Sequence, residues 1–98
     1  MTSDFEATTR LGQRRARELY RLCGEAVTTR WLGLVATDLE RVGELPPIER
    51  CLTPEERHER CALLAYALGR ITPPTWESAV DRLRACAIEQ SALLARMN

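Results

Sequence analysis

The sequence predicts an all-α fold, a small four-helix bundle in a single domain spanning residues 1–98, and three observations carry that expectation. Thr53-Pro54-Glu55-Glu56 reads as a capping box: the threonine hydroxyl accepts the Glu56 N–H, the Glu56 carboxylate accepts the Thr53 N–H, and proline takes the first helical position. Thr72-Pro73-Pro74-Thr75-Trp76-Glu77 stops one helix and opens another, because paired prolines cannot continue a helix and Thr75 can cap the next. Elsewhere apolar residues recur at helical spacing, with no strand-like alternation and no internal repeat. The two punctuation marks define a C-terminal helical hairpin, residues 54–71 and 76–96.

The first helix is expected over residues 3–27. At 100° per residue Phe5, Ala16, Leu19, Tyr20, Cys23, Ala26 and Val27 fall on one side, opposite Glu6, Arg10, Arg14, Arg17 and Arg21. Glu6–Arg10, Arg14–Glu18 and Arg21–Glu25 have the four-residue spacing of helix-surface ion pairs. Carried onward, that phase would bury Arg30 and Arg41 and expose Leu32. Restarted, it groups Trp31, Val35, Leu39 and Val42, with Thr37 and Glu40 outside. The shift places a break at the β-branched pair Thr28-Thr29 and a second helix over 30–43, with one bent continuous helix as the alternative. Residues 44–53 form a loop stiffened by Pro46-Pro47, with a single helical turn possible at 48–52.

Helix three carries an anomaly. Cys61, Leu64, Ala65, Leu68 and Ile71 make its expected core face, yet Ala62, Leu63, Tyr66 and Ala67 make the other side apolar too. A helix apolar all round is central in its bundle or covered by another chain. Four helices rarely enclose one of their own, so the sequence reading assigns Ala62, Leu63, Tyr66 and Ala67 to a homodimer interface. Helix four presents Trp76, Ala79, Val80, Leu83, Ala87, Leu94 and Met97 on one face, with Glu77, Asp81, Arg82 and Arg84 outside.

Charge narrows the function. The 14 basic residues, all arginine, balance 14 carboxylates, and residues 1–44 and 45–98 are each balanced. No long-range field draws in nucleic acid or an anionic membrane. Arginine without lysine is the composition expected of a GC-rich bacterium or its phage. The polar start, Met-Thr-Ser-Asp-Phe-Glu, lacks the features of a secretory signal, so a cytoplasmic protein with four reduced thiols is expected.

The clearest surface feature is the stripe Arg10, Arg14, Arg17 and Arg21, which suits an acidic partner protein. Glu6, Glu18 and Glu25 on or beside it dilute its field and disfavour DNA. A helix-turn-helix reading of 54–96 would put Glu77 and Asp81 against phosphate. Cys51, His58 and Cys61, with Cys23 or Cys86, are the residues for a metal site, but there is no CxxC pair, Cys23, Cys61 and Cys86 lie on or near apolar faces, and Cys51 sits in the loop as the thiol expected to be exposed. One histidine, no phosphate loop and no nucleophile motif give no basis for catalysis or a cofactor. The expectation is a non-catalytic interaction module, a small regulator, antagonist or chaperone-like adaptor that binds a larger partner protein as a homodimer. A small DNA-binding regulator is the alternative, and a metal or redox sensor the third.

Overall fold

A computed structural model describes residues 3–97 as four α-helices, α1 (Asp4–Cys23), α2 (Glu25–Arg41), α3 (Pro54–Arg70) and α4 (Pro73–Met97), plus a 3-10 turn at Ile48–Arg50. The all-α bundle is borne out, and no strand occurs among the described residues. None of these helices is long and apolar enough to cross a membrane. α1 is the spine. It runs antiparallel to α3, and α4 packs on α1 and α2. The two arms of the C-terminal hairpin meet at Ile71–Thr72 and pack chiefly through α1 rather than on each other.

The capping box at Thr53 forms as expected, with both reciprocal hydrogen bonds at 3.1 Å. α4 begins at Pro73 rather than Trp76. Both prolines occupy the first turn, where a missing N–H leaves no bond unmade, and the Trp76 N–H donates to the Thr72 carbonyl. Thr75 is therefore inside the helix and not its cap.

The break between α1 and α2 lies at Gly24, not at Thr28-Thr29. Its φ of 84° is a backbone state that glycine enters at low cost, so one residue suffices to reset the helical phase. The two helices are separate. Thr28 instead ties them together, fully buried, its hydroxyl donating to the Leu19 carbonyl across the junction at 3.0 Å. α2 ends in a Schellman motif, with Gly43 at φ 79°, its N–H on the Glu40 carbonyl and the Glu44 N–H on the Leu39 carbonyl. Val42, expected inside, is exposed beyond that stop. Glu40, expected outside, turns toward α3 and pairs with Arg60.

Leu19, Cys23, Val27, Trp76 and Leu83 form the main core, with Leu22, Trp31, Ile71, Val80 and Ala87 packed against it. Trp31 meets Trp76 edge to face, ring centres 6.1 Å apart. The α1–α3 contact is closer than side chains allow. A Cβ at Gly12 would stand 1.6 Å from the Ala65 carbonyl oxygen, and one at Gly69 would stand 1.9 Å from the Thr8 carbonyl oxygen. Each glycine instead turns an α-hydrogen to its neighbour's carbonyl, a contact recurrent where helix backbones touch.

Arg15 joins three helices. Buried on α1, its Nη1 donates to the carbonyls of Leu68 at 2.7 Å and Ile71 at 2.8 Å, where α3 ends. Its guanidinium carbon also lies 5.1 Å from the centre of the Trp76 ring, one turn into α4. A cation at a helix C-terminus meets carbonyls with no partner of their own and the negative end of the helix dipole. Burial pushes the Arg15 pKa below its ordinary value.

Two expectations for the helix faces are overturned. Leu94 and Met97, assigned to the core, are exposed, as are Ile88 and Leu93. α1 and α2 meet at Gly24, and among the described residues Ala87 is the last of α4 packed against the core. The spaced pairs Glu6–Arg10, Arg14–Glu18 and Arg21–Glu25 are also absent among the described residues. On α1 only Arg21 and Glu18 approach, at 3.9 Å.

Arg15→Met removes charge-assisted hydrogen bonds from the Leu68 and Ile71 carbonyls and the cation from Trp76, with an expected loss of about 3 kcal/mol in urea unfolding. Arg15→Lys keeps the charge without the planar fork and recovers only part of it. A loss below about 1 kcal/mol for Arg15→Met would contradict this role. Gly12→Ala forces backbone apart from backbone and is expected to cost at least about 2 kcal/mol in the same measurement.

Candidate functional site

The arginine stripe lies where the periodicity put it. Because α1 gives two sides to α3 and α4, its remaining side faces solvent, and Arg10, Arg14, Arg17 and Arg21 are all exposed there. Arg10, Arg14 and Arg17 make no ion pair among the described residues. Three unpaired guanidiniums on successive turns present planar donors outward, the geometry that receives carboxylates two bonds at a time.

Arg17 also lines a groove, which the sequence did not reveal. The groove, about 420 Å³, runs between α1 and α3, with Ala16, Cys61, Ala62 and Leu64 as its apolar wall and Gln13, Arg17 and His58 as its polar groups. It is open to solvent, and His58 stands at its end farthest along α3 from the Gly69 contact. The two features are continuous: a cationic ribbon on one helix and an apolar trough beside it. An element with an apolar side and an acidic edge fits both.

Ala62, Leu63, Tyr66 and Ala67 are half-buried within the chain itself. Ala62 faces the α1 groove. Leu63 lies with Leu45, Pro46 and Pro47 of the loop after α2, and Ala67 lies with Leu39 of α2. Tyr66 stacks on Phe5, ring centres 4.9 Å apart, with Arg70 over its other side at 5.6 Å. The second apolar face of α3 is thus partly covered within the chain, by Phe5 at Tyr66 and by α2 and the loop after it at Leu63 and Ala67.

The thiols also differ from expectation. Cys51, expected to be the accessible one, is buried with its Sγ 3.6 Å from the Pro47 carbonyl oxygen. Cys61, expected inside, is exposed, as is Cys86. Cys23 sits in the main core. Burial pushes its pKa up, opposed by the nearby Arg84 charge, while Cys86 adds a smaller push upward. His58 and Cys61 share the groove, but Cys51 and Cys23 are each held in other packing. No group of three or more His, Cys, Asp or Glu positioned for a metal ion occurs among the described residues. Asp38 is spent on Arg41, 3.1 Å away on the surface.

Comparison of the chain with protein-family models, curated proteins and solved structures finds no match.

A thiol reagent applied to the folded protein at neutral pH is expected to modify Cys61 and Cys86 quickly and Cys23 and Cys51 only as the protein unfolds, read by mass spectrometry of peptides. Equal rates for all four would contradict the packing described.

Proposed function

We propose that this protein is a non-catalytic interaction module, a small cytoplasmic regulator, antagonist or chaperone-like adaptor that occupies a larger protein partner and works as a homodimer. The observation that carries the reading is the unpaired, outward-facing row Arg10, Arg14 and Arg17, continued by Arg21 and bordered by the apolar groove between α1 and α3. Its occupant is an acidic, apolar-sided segment of the partner. The apolar side enters the trough past Ala16, Cys61 and Leu64, and carboxylates on its edge meet the guanidiniums.

Exposed ion pairs are individually weak, so the groove supplies most of the affinity and the arginines supply orientation and a faster encounter. With zero net charge on the chain, the attraction is local to this face. Arg15 does not belong to the site, since its guanidinium is committed to α3 and Trp76.

The test is affinity capture from the source organism with wild type and with Arg14→Glu/Arg17→Glu, a surface change expected to leave helicity and stability intact. A discrete protein retained by the wild type at low salt, weakened at high salt and lost by the variant is the expected result. Capture indifferent to both changes removes the arginine face from the account. Retention of random duplex DNA that falls steeply with salt would instead transfer the face to nucleic acid.

A further inference from the structure

The last three turns of α4 are uncovered. α4 has 25 residues and is roughly 37 Å long, but Ala87 is its last residue packed on the core. From Ile88 to Met97 every residue is exposed, an arm about 15 Å long. The arm is not polar. Ile88 (71% exposed), Leu93 (57%), Leu94 (63%) and Met97 (78%) are open to solvent on a segment whose only charges are Glu89 and Arg96. Leu22 and Cys23 with Ile88, and Leu34 and Val27 with Cys86 and Gln90, extend the apolar surface around its root.

The whole chain shows the same deficit. Its accessible surface is 7263 Å², against about 5,700 Å² for a compact monomer of this mass. Its radius of gyration is 15.0 Å, against roughly 12.5 Å for a globular chain of this length. The surplus of roughly 1,600 Å² is about twice what one partner contributes to a standard protein interface. A stable dimer would consume a surplus of that size.

The sequence of the arm favours a second copy of the same chain as its cover. Gln90, Leu93, Leu94 and Met97 lie on one side at three- and four-residue spacing, the pattern of a helix-pairing seam. Glu89 and Arg96, seven residues apart, lie together along one edge of that seam. When two such arms cross antiparallel about a two-fold axis near residues 92 and 93, the Glu89 edge of each meets the Arg96 edge of the other. One opposite-charge contact thus arises twice by symmetry, as an isologous interface requires. Zero net charge on the chain adds no repulsion to the encounter.

We infer that the arm Ile88–Met97 is the homodimer contact, an antiparallel pair of α4 helices sealed by Leu93, Leu94 and Met97 and held in register by Glu89 and Arg96. This deepens the homodimer part of the reading above, on which it rests, and is separate from partner binding, because the arginine face lies on α1 and the arm on α4.

Sedimentation equilibrium at tens of micromolar decides it. The wild type is expected at twice the 11.1 kDa chain mass, and Leu94→Glu/Met97→Glu at the monomer mass with no loss of helicity beyond the arm itself, since neither residue contributes to the monomer's core. Glu89→Arg is expected to weaken the dimer several-fold, and adding Arg96→Glu to restore it. A monomeric wild type overturns the self-contact and leaves the arm to a different protein. A dimer that survives Leu94→Glu/Met97→Glu overturns the arm as its interface, and a double swap that fails to restore affinity overturns the antiparallel register. Loss of partner capture by Arg14→Glu/Arg17→Glu with the dimer intact separates the two proposals.

Discussion

One buried guanidinium fixes the order of the helices. α3 must end where α4 begins, and the carbonyls of a last helical turn lack their full set of helical partners. Arg15 supplies donors from α1, reaching Leu68 and Ile71 with one nitrogen and setting its guanidinium over Trp76. The charge remains on the protein despite burial, since arginine stays protonated through a wide lowering of its pKa. A lysine at this position would offer the charge without the plane. The rest of the packing is arranged around this one side chain: Gly12 and Gly69 let α1 and α3 approach until Arg15 reaches the α3 terminus, and Trp76 carries the contact into the main core.

A spine helix used this way has little surface left over. α1 gives one side to α3 and another to α4, so its charged residues share the remaining side, and the arginine row results. The groove lies beside that row, with Arg17 next to the apolar wall of Ala16, Cys61, Ala62 and Leu64. At the opposite end of the molecule the spine stops at Gly24 while α4 continues. The two proposed contact surfaces are therefore products of the fold, one on the free side of α1 and one where α4 outruns its support.

The elements announced by local chemistry were legible in the sequence. The Thr53 capping box and the Pro73-Pro74 pair act over four residues and owe nothing to tertiary structure. The arginine row was legible because it repeats at helical pitch. Gly24 was passed over because Thr28-Thr29 gave a stronger β-branched signal, whereas the backbone needed a single positive φ. Arg15 was legible as a position on the core side, four residues from Leu19 and out of the stripe, but not as a buried cation, because its partners lie more than fifty residues away. Leu94 and Met97 were assigned to the core since periodicity reports which side of a helix is apolar, not where its neighbours end. The second apolar face of α3 was legible, but its partial cover within the chain was not: Leu45 and the prolines lie at Leu63, and Leu39 at Ala67.

On this proposal the bundle is locked at the Arg15 end and completed at the other by a second copy. Amide hydrogen exchange followed across a range of protein concentrations tests both halves at once, since an arm with no tertiary contacts frays while a packed core opens only with the whole fold. Slow, concentration-independent exchange is predicted around Leu19, Leu68 and Leu83, with protection of residues 88–97 that rises as concentration rises. Arm amides whose exchange does not depend on concentration, or core amides that exchange as fast as the arm, would contradict it.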